Sequence, residues 1–125
     1  LTPERVRELN PRGIILSGGP ASVYAPDAPP FDAKILELGI PVLGICYGMH
    51  LVSHLLGCRV EPHEQREFGR AHLRVTRPDT LFMGLPEELV VWMSHGDQVD
   101  VLDKCFFPLA GTETCKVAAV RHVSK

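Results

Sequence analysis

The 125 residues contain no apolar run of the ~18 residues a membrane span needs, and no signal-peptide pattern at their start. They also lack any block of basic residues. Thirteen Lys and Arg are scattered among fifteen Asp and Glu, for a net charge of −2. Nucleic acids and anionic membranes are held by clustered Lys and Arg, so the pattern argues against both as partners. No Cys-x-x-Cys pair occurs among the four cysteines at 46, 58, 105 and 115, which removes the usual zinc and redox spacings. With no other mark of a secreted protein, the thiols read as reduced and the location as cytoplasmic. Internal repeats and low-complexity tracts are missing too.

What is present fits one soluble α/β domain. Hydrophobic residues make up 45% and charged residues 22%, ordinary values for a globular chain. Eleven Gly and eleven Pro rule out a helical bundle and imply short elements joined by tight turns. The chain opens without Met, on a helix approach, and stops after a strand-like run; it reads as an excerpt, incomplete at both ends.

Thr2-Pro3-Glu4 combines an N-cap, a proline at the first helical position and an acid in the first turn, so a short helix to Leu9 follows. Residues 13–17 and 41–45 are continuous apolar runs, expected as strands of a parallel sheet buried on both faces. Helical spacing is expected over 31–38 and 48–56, each stopped by a glycine. Strand, helix, strand, helix in this order predicts right-handed crossovers. The second half alternates, giving antiparallel or edge strands over 68–76, 89–93 and 117–120. Pro78-Asp79, Gly84-Leu85-Pro86 and His95-Gly96-Asp97 read as the turns between them.

Chemistry concentrates at Gly44-Ile45-Cys46-Tyr47-Gly48, between a predicted strand and a predicted helix. This is the thiol counterpart of the Gly-x-Ser-x-Gly nucleophile elbow. Such a reversal brings the positions two before and two after the nucleophile together, so both must be small. It also sets the thiol at a helix N-terminus and aims the Tyr47 amide where an oxyanion forms. Ser17-Gly18-Gly19-Pro20 ends the neighbouring strand and should meet the elbow at the same sheet edge, offering a second oxyanion donor. The Ser-Gly-Gly loop of ATP pyrophosphatases continues with Asp-Ser; Pro20-Ala21 here argues against it. His95 is the obvious candidate base for Cys46, against the plainer reading of a turn whose backbone matters more than its imidazole. His50, His54 and Cys58 share a helical spacing, but Gly57 should end the helix first, so no metal site is expected.

Together, residues 14–20, Ser22-Val23-Tyr24, Asp27-Ala28-Pro29 and 39–49 resemble class I glutamine amidotransferases. Arg66-Glu67-Phe68-Gly69 and residues 91–97 resemble, within that family, the amidotransferase domain of GMP synthases. The resemblance implies an open, mostly parallel, flavodoxin-like sheet flanked by helices with extra antiparallel strands. It implies that Cys46 attacks the side-chain amide of glutamine and that Gly19 and Tyr47 hold the oxyanion. His50, Ser94, His95 and Gly96 would contact substrate. It implies no cofactor in this domain, with ATP and Mg²⁺ serving a separate ATP-pyrophosphatase domain or subunit as partner, and leaves room for a homodimer through that domain. Two departures stand out. The family's base lies in a His-Pro-Glu motif and its first strand precedes the helix at Thr2; neither is within the 125 residues. The family usually has Gln where His50 stands, and imidazole cannot offer an amide's donor and acceptor together.

Overall fold

The computed structural model describes residues 1–125, except for the side chain of Gln65. Helix α1 (Pro3–Leu9) begins where the capping signals place it: Thr2 Oγ1 accepts from the Arg5 amide, and Asn10 ends the helix in the left-handed region. Strands β1 (Ile14–Leu16) and β2 (Val42–Gly44) pair in parallel, Leu16 opposite Gly44. Between them the expected helix over 31–38 is a single 3₁₀ stretch, Ala33–Glu37, capped by the Asp32 carboxylate. Three prolines just upstream and Gly39 just downstream leave it too little length for α-helical propagation. Helix α2 (Tyr47–Leu55) follows the elbow, and Gly57 turns the chain at φ +96°.

A four-stranded antiparallel sheet forms the rest: β3 (Arg59–Val75), β4 (Glu88–Val101), β5 (Phe106–Gly111) and β6 (Ala119–His122), in the order β4-β3-β5-β6. The α/β class holds, with the parallel part formed here by β1 and β2 alone. Strands β3 and β4 far exceed the expected 68–76 and 89–93. The stretch 94–97, expected as a turn, lies inside β4, with Ser94 opposite Phe68, His95 opposite Glu67 and Asp97 opposite Pro62. A long ladder with a partner outweighs the local turn preference of Gly96 and Asp97. Strand β5 has no counterpart among the expected strands, because Pro108 interrupts it; the proline sits next to an irregularity in the β5–β6 register. Strand β6 lies two residues beyond the predicted 117–120.

Apolar residues bury in two groups. Leu73, Val75, Phe82, Leu109 and Ala110 form one, and Cys58, Val60, Val99 and Phe106 the other, with Met49 and Leu56 of the α2 region packed on the second. Each fully buried aliphatic side chain contributes roughly 1.5–3 kcal/mol. The parallel pair departs from the expectation of burial on both faces: Ile15 is 68% and Ile45 47% exposed. Only the face toward α2 is covered by the described residues. No helix among them is long and apolar enough to cross a membrane.

Candidate active site

The elbow is built from backbone closeness. A Cβ on Gly44 would lie 2.6 Å from the Met49 nitrogen and 2.7 Å from the Gly48 carbonyl carbon. A Cβ on Gly48 would lie 2.1 Å from the Leu16 carbonyl oxygen, so β1, β2 and the start of α2 converge where any side chain would collide. Cys46 itself takes φ 51°, ψ −113°, a conformation a non-glycine residue holds only when its surroundings force it. The Ile45 amide donates to the Leu16 carbonyl at 2.9 Å, and the His50 amide to the Cys46 carbonyl at 3.0 Å, fixing both sides of the strained residue.

The Ser17–Pro20 turn meets this elbow, as the shared sheet edge requires. A Cβ on Gly18 would stand 3.4 Å from Cys46 Cβ and 4.0 Å from its Sγ, and one on Gly19 3.9 Å from the Tyr47 ring. Tyr47 opens α2, so its N–H belongs to the first turn, whose amides have no carbonyl within the helix. Gly18 therefore stands against Cys46, and Gly19 against Tyr47 beside it.

A cavity of about 600 Å³ opens between the two sheets, and Cys46, His50 and His95 all line it. The rings of His50 and His95 meet edge to face, centroids 6.0 Å apart. Burial pushes the His50 imidazole below its ordinary value, and the neighbouring His95 adds to this, against a smaller opposite pull from Asp97. Ser94 does not join them. Because β4 runs straight through it, Ser94 alternates onto the other, exposed face beside Phe68. Gly96 faces the Arg66 side chain, which would stand 3.6 Å from a Cβ there.

His95 is held from both sides. Its Nδ1 lies 2.9 Å from the Asp97 carbonyl oxygen and its Nε2 3.1 Å from Glu67 Oε2. Both neighbours are oxygens, and each ring nitrogen is aimed at one of them. With both nitrogens engaged, His95 presents neither of them to Cys46. The geometry favours neither of its two readings, base or plain backbone turn: the imidazole is held in one orientation by two contacts. Glu67 Oε1 accepts in turn from the hydroxyls of Thr112 and Thr114. Burial raises the Glu67 carboxyl, but the two hydroxyls and His95 outweigh it, leaving the group below the usual carboxylate range.

Glu67, Thr112 and Thr114 are functional candidates that local pattern cannot supply, since Thr112 and Thr114 lie 45 and 47 residues from Glu67 in the chain. The Arg66-Glu67-Phe68-Gly69 motif is the one signal in the sequence that points to them. Glu67, His95 and Cys115 offer ligand atoms within 4.8 Å of one another, a donor set suited to zinc. The contacts of Glu67 and His95 instead form a closed hydrogen-bond network, and burial, then the Glu67 charge, pushes the Cys115 thiol up to about 11. The His50-His54-Cys58 spacing does not assemble a site: α2 ends at Leu55, and His54 packs against the Tyr24 ring, 5.0 Å between centroids.

The family model for glutamine amidotransferase class-I matches residues 2–125. GMP synthase (glutamine-hydrolysing) of Caldanaerobacter subterraneus is 46% identical over 125 residues, all of this chain and 24% of the relative. That of Bacillus subtilis is 50% identical over the same extent, again 24% of its length. A crystal structure of a glutamine amidotransferase from Thermotoga maritima superposes with a TM-score of 0.62 at 25% identity, covering 74% of this chain and 43% of that one. The chain thus spans about a quarter of the length of the curated relatives it matches. A strained cysteine between two obligatory glycines, a full-length family match and a shared fold lead to one assignment: the chain belongs to the class-I glutamine amidotransferases.

Proposed function

We propose that this chain is the glutamine-hydrolysing part of a GMP synthase, with Cys46 as nucleophile. The observation that carries the reading is Cys46 itself, held at a strained φ beside Gly18, Gly19 and Tyr47 on the rim of the cavity. Identity of 46–50% to GMP synthases along the whole chain supports that branch of the family.

The chemistry follows from the geometry. Cys46 Sγ attacks the side-chain carbonyl carbon of glutamine, and the carbonyl oxygen takes up negative charge beside the amides of Gly19 and Tyr47. Collapse breaks the C–N bond, and ammonia leaves with the proton that the thiol gave up, transferred through a base. A γ-glutamyl thioester remains. Water then adds to it, the C–S bond breaks, and glutamate and the free thiol are restored. His95 lines the cavity as a ring held by Glu67 and the Asp97 carbonyl, and the family's His-Pro-Glu histidine is the candidate base. Ammonia passes to an ATP-pyrophosphatase domain or subunit, where ATP and Mg²⁺ activate XMP; no step in this chain runs through them. Four free cysteines suit the reduced cytoplasmic setting of that reaction.

The test is GMP formation by the full protein with glutamine or ammonia as nitrogen source. Cys46→Ala should lose glutamine-dependent activity by at least about 10³-fold while keeping ammonia-dependent activity within about twofold. Equal activity of the variant with both sources contradicts the assignment. A wild type that uses ammonia but never glutamine identifies the chain as a degenerate, regulatory domain.

A further inference from the structure

We infer that Glu67 is a positioning residue for glutamine binding, which locks the His95 imidazole at the cavity through a latch closed by Thr112 and Thr114. The inference rests on the glutaminase reading above and extends it to residues with no assigned role.

The latch begins in an irregularity of β3. Pro62 lies opposite Asp97 and Glu67 opposite His95, so β3 advances five residues where β4 advances two. Extra residues in one strand of a ladder re-aim the side chains that follow. Glu67 is thereby turned inward, its side chain 10% exposed, while Phe68 points out at 68%. The His95 side chain opposite is 8% exposed.

A buried carboxylate with one partner would be free to rotate away from it. Here Oε2 faces His95 while Oε1 accepts from both threonine hydroxyls, which leaves one productive orientation. Thr112 is itself fixed: its Oγ1 accepts from the Cys115 amide at 3.0 Å, and its amide donates to the Cys115 carbonyl at 2.8 Å. The loop between β5 and β6 therefore sets Glu67, Glu67 sets one ring nitrogen of His95, and the Asp97 carbonyl sets the other. His95 reaches the cavity that Cys46 and His50 share, so the orientation of its ring decides what it presents to a bound amino acid. The same contacts join the Arg66-Glu67-Phe68-Gly69 motif to the Ser94-His95-Gly96-Asp97 motif.

The test compares steady-state glutaminase kinetics of the full protein with those of Glu67→Gln and of the double variant Thr112→Val/Thr114→Val. Loss of a charge-assisted, buried bond should raise the glutamine KM about tenfold in Glu67→Gln, and less in the double variant, with kcat within about threefold. Ammonia-dependent synthesis should be unaffected. A Glu67 that merely supported folding would lower the amount of active enzyme, and so kcat, at unchanged KM. That result in Glu67→Gln overturns the proposal, and in the double variant it does so if Glu67→Gln does not fold. The glutaminase reading fails separately, when wild-type turnover of glutamine does not depend on Cys46.

Discussion

The elbow around Cys46 and the latch around His95 meet at one cavity but are encoded in opposite ways. The elbow is local. Gly44, Cys46 and Gly48 lie within five residues, and the distant residues that meet them, Leu16, Gly18 and Gly19, belong to one short run. The latch is assembled from Glu67, His95, Thr112 and Thr114, on three separate stretches joined by a register shift. Steric exclusion can be written in a short motif. A hydrogen-bond chain between strands cannot, because its members are set by pairing rather than by spacing.

The sharpest way to break the comparison is at the elbow. Gly48→Ala puts a methyl group 2.1 Å from the Leu16 oxygen, a backbone atom that can move only with β1. The expected cost is about 3 kcal/mol or more, seen as a lower melting temperature together with loss of Cys46 reactivity. An alanine variant with wild-type stability and reactivity would show that the three-way convergence is not needed. The Glu67→Gln variant should act in the contrasting way: folding largely kept, glutamine affinity reduced.

A smaller effect separates the histidines at the cavity. His50 is buried and its imidazole lies below its ordinary 6.5, so the unfolded chain binds the proton more readily. Its contribution to stability is therefore complete above pH 6.5 and lost as the pH falls through the lower folded value. Melting temperatures of His50→Gln should accordingly fall less than wild type between pH 7 and 5. Parallel curves for the two proteins would show that His50 takes no part in the acid response. Glutamine at 50 is also the residue expected there from the family resemblance, so the same variant reports whether imidazole limits substrate affinity.

Much of the elbow region is legible in the amino-acid sequence alone. Capping residues place α1, two apolar runs place β1 and β2, and the small-residue requirement at 44 and 48 follows from the reversal itself. What local pattern lacks is context. Residues 31–38 have helical spacing but too little length between proline and glycine. Gly96-Asp97 has turn chemistry but lies opposite a long partner strand. Pro108 hides β5. Composition suggests burial of β1 and β2 on both faces, yet Ile15 and Ile45 stay exposed, since apolar residues do not themselves supply a covering layer. Ser94 and His95 read as one contact surface in the sequence, and strand alternation sends them to opposite faces.

The central claim is that the thiol at the elbow attacks glutamine. Covalent labelling of the full protein with a glutamine-analogue chloroketone tests it most directly, with the modified residue identified by peptide mass. The account predicts a single label on Cys46, suppressed by excess glutamine and absent from Cys46→Ala. Labelling of Cys46→Ala to the same extent as wild type, or no labelling of the wild type, would contradict it.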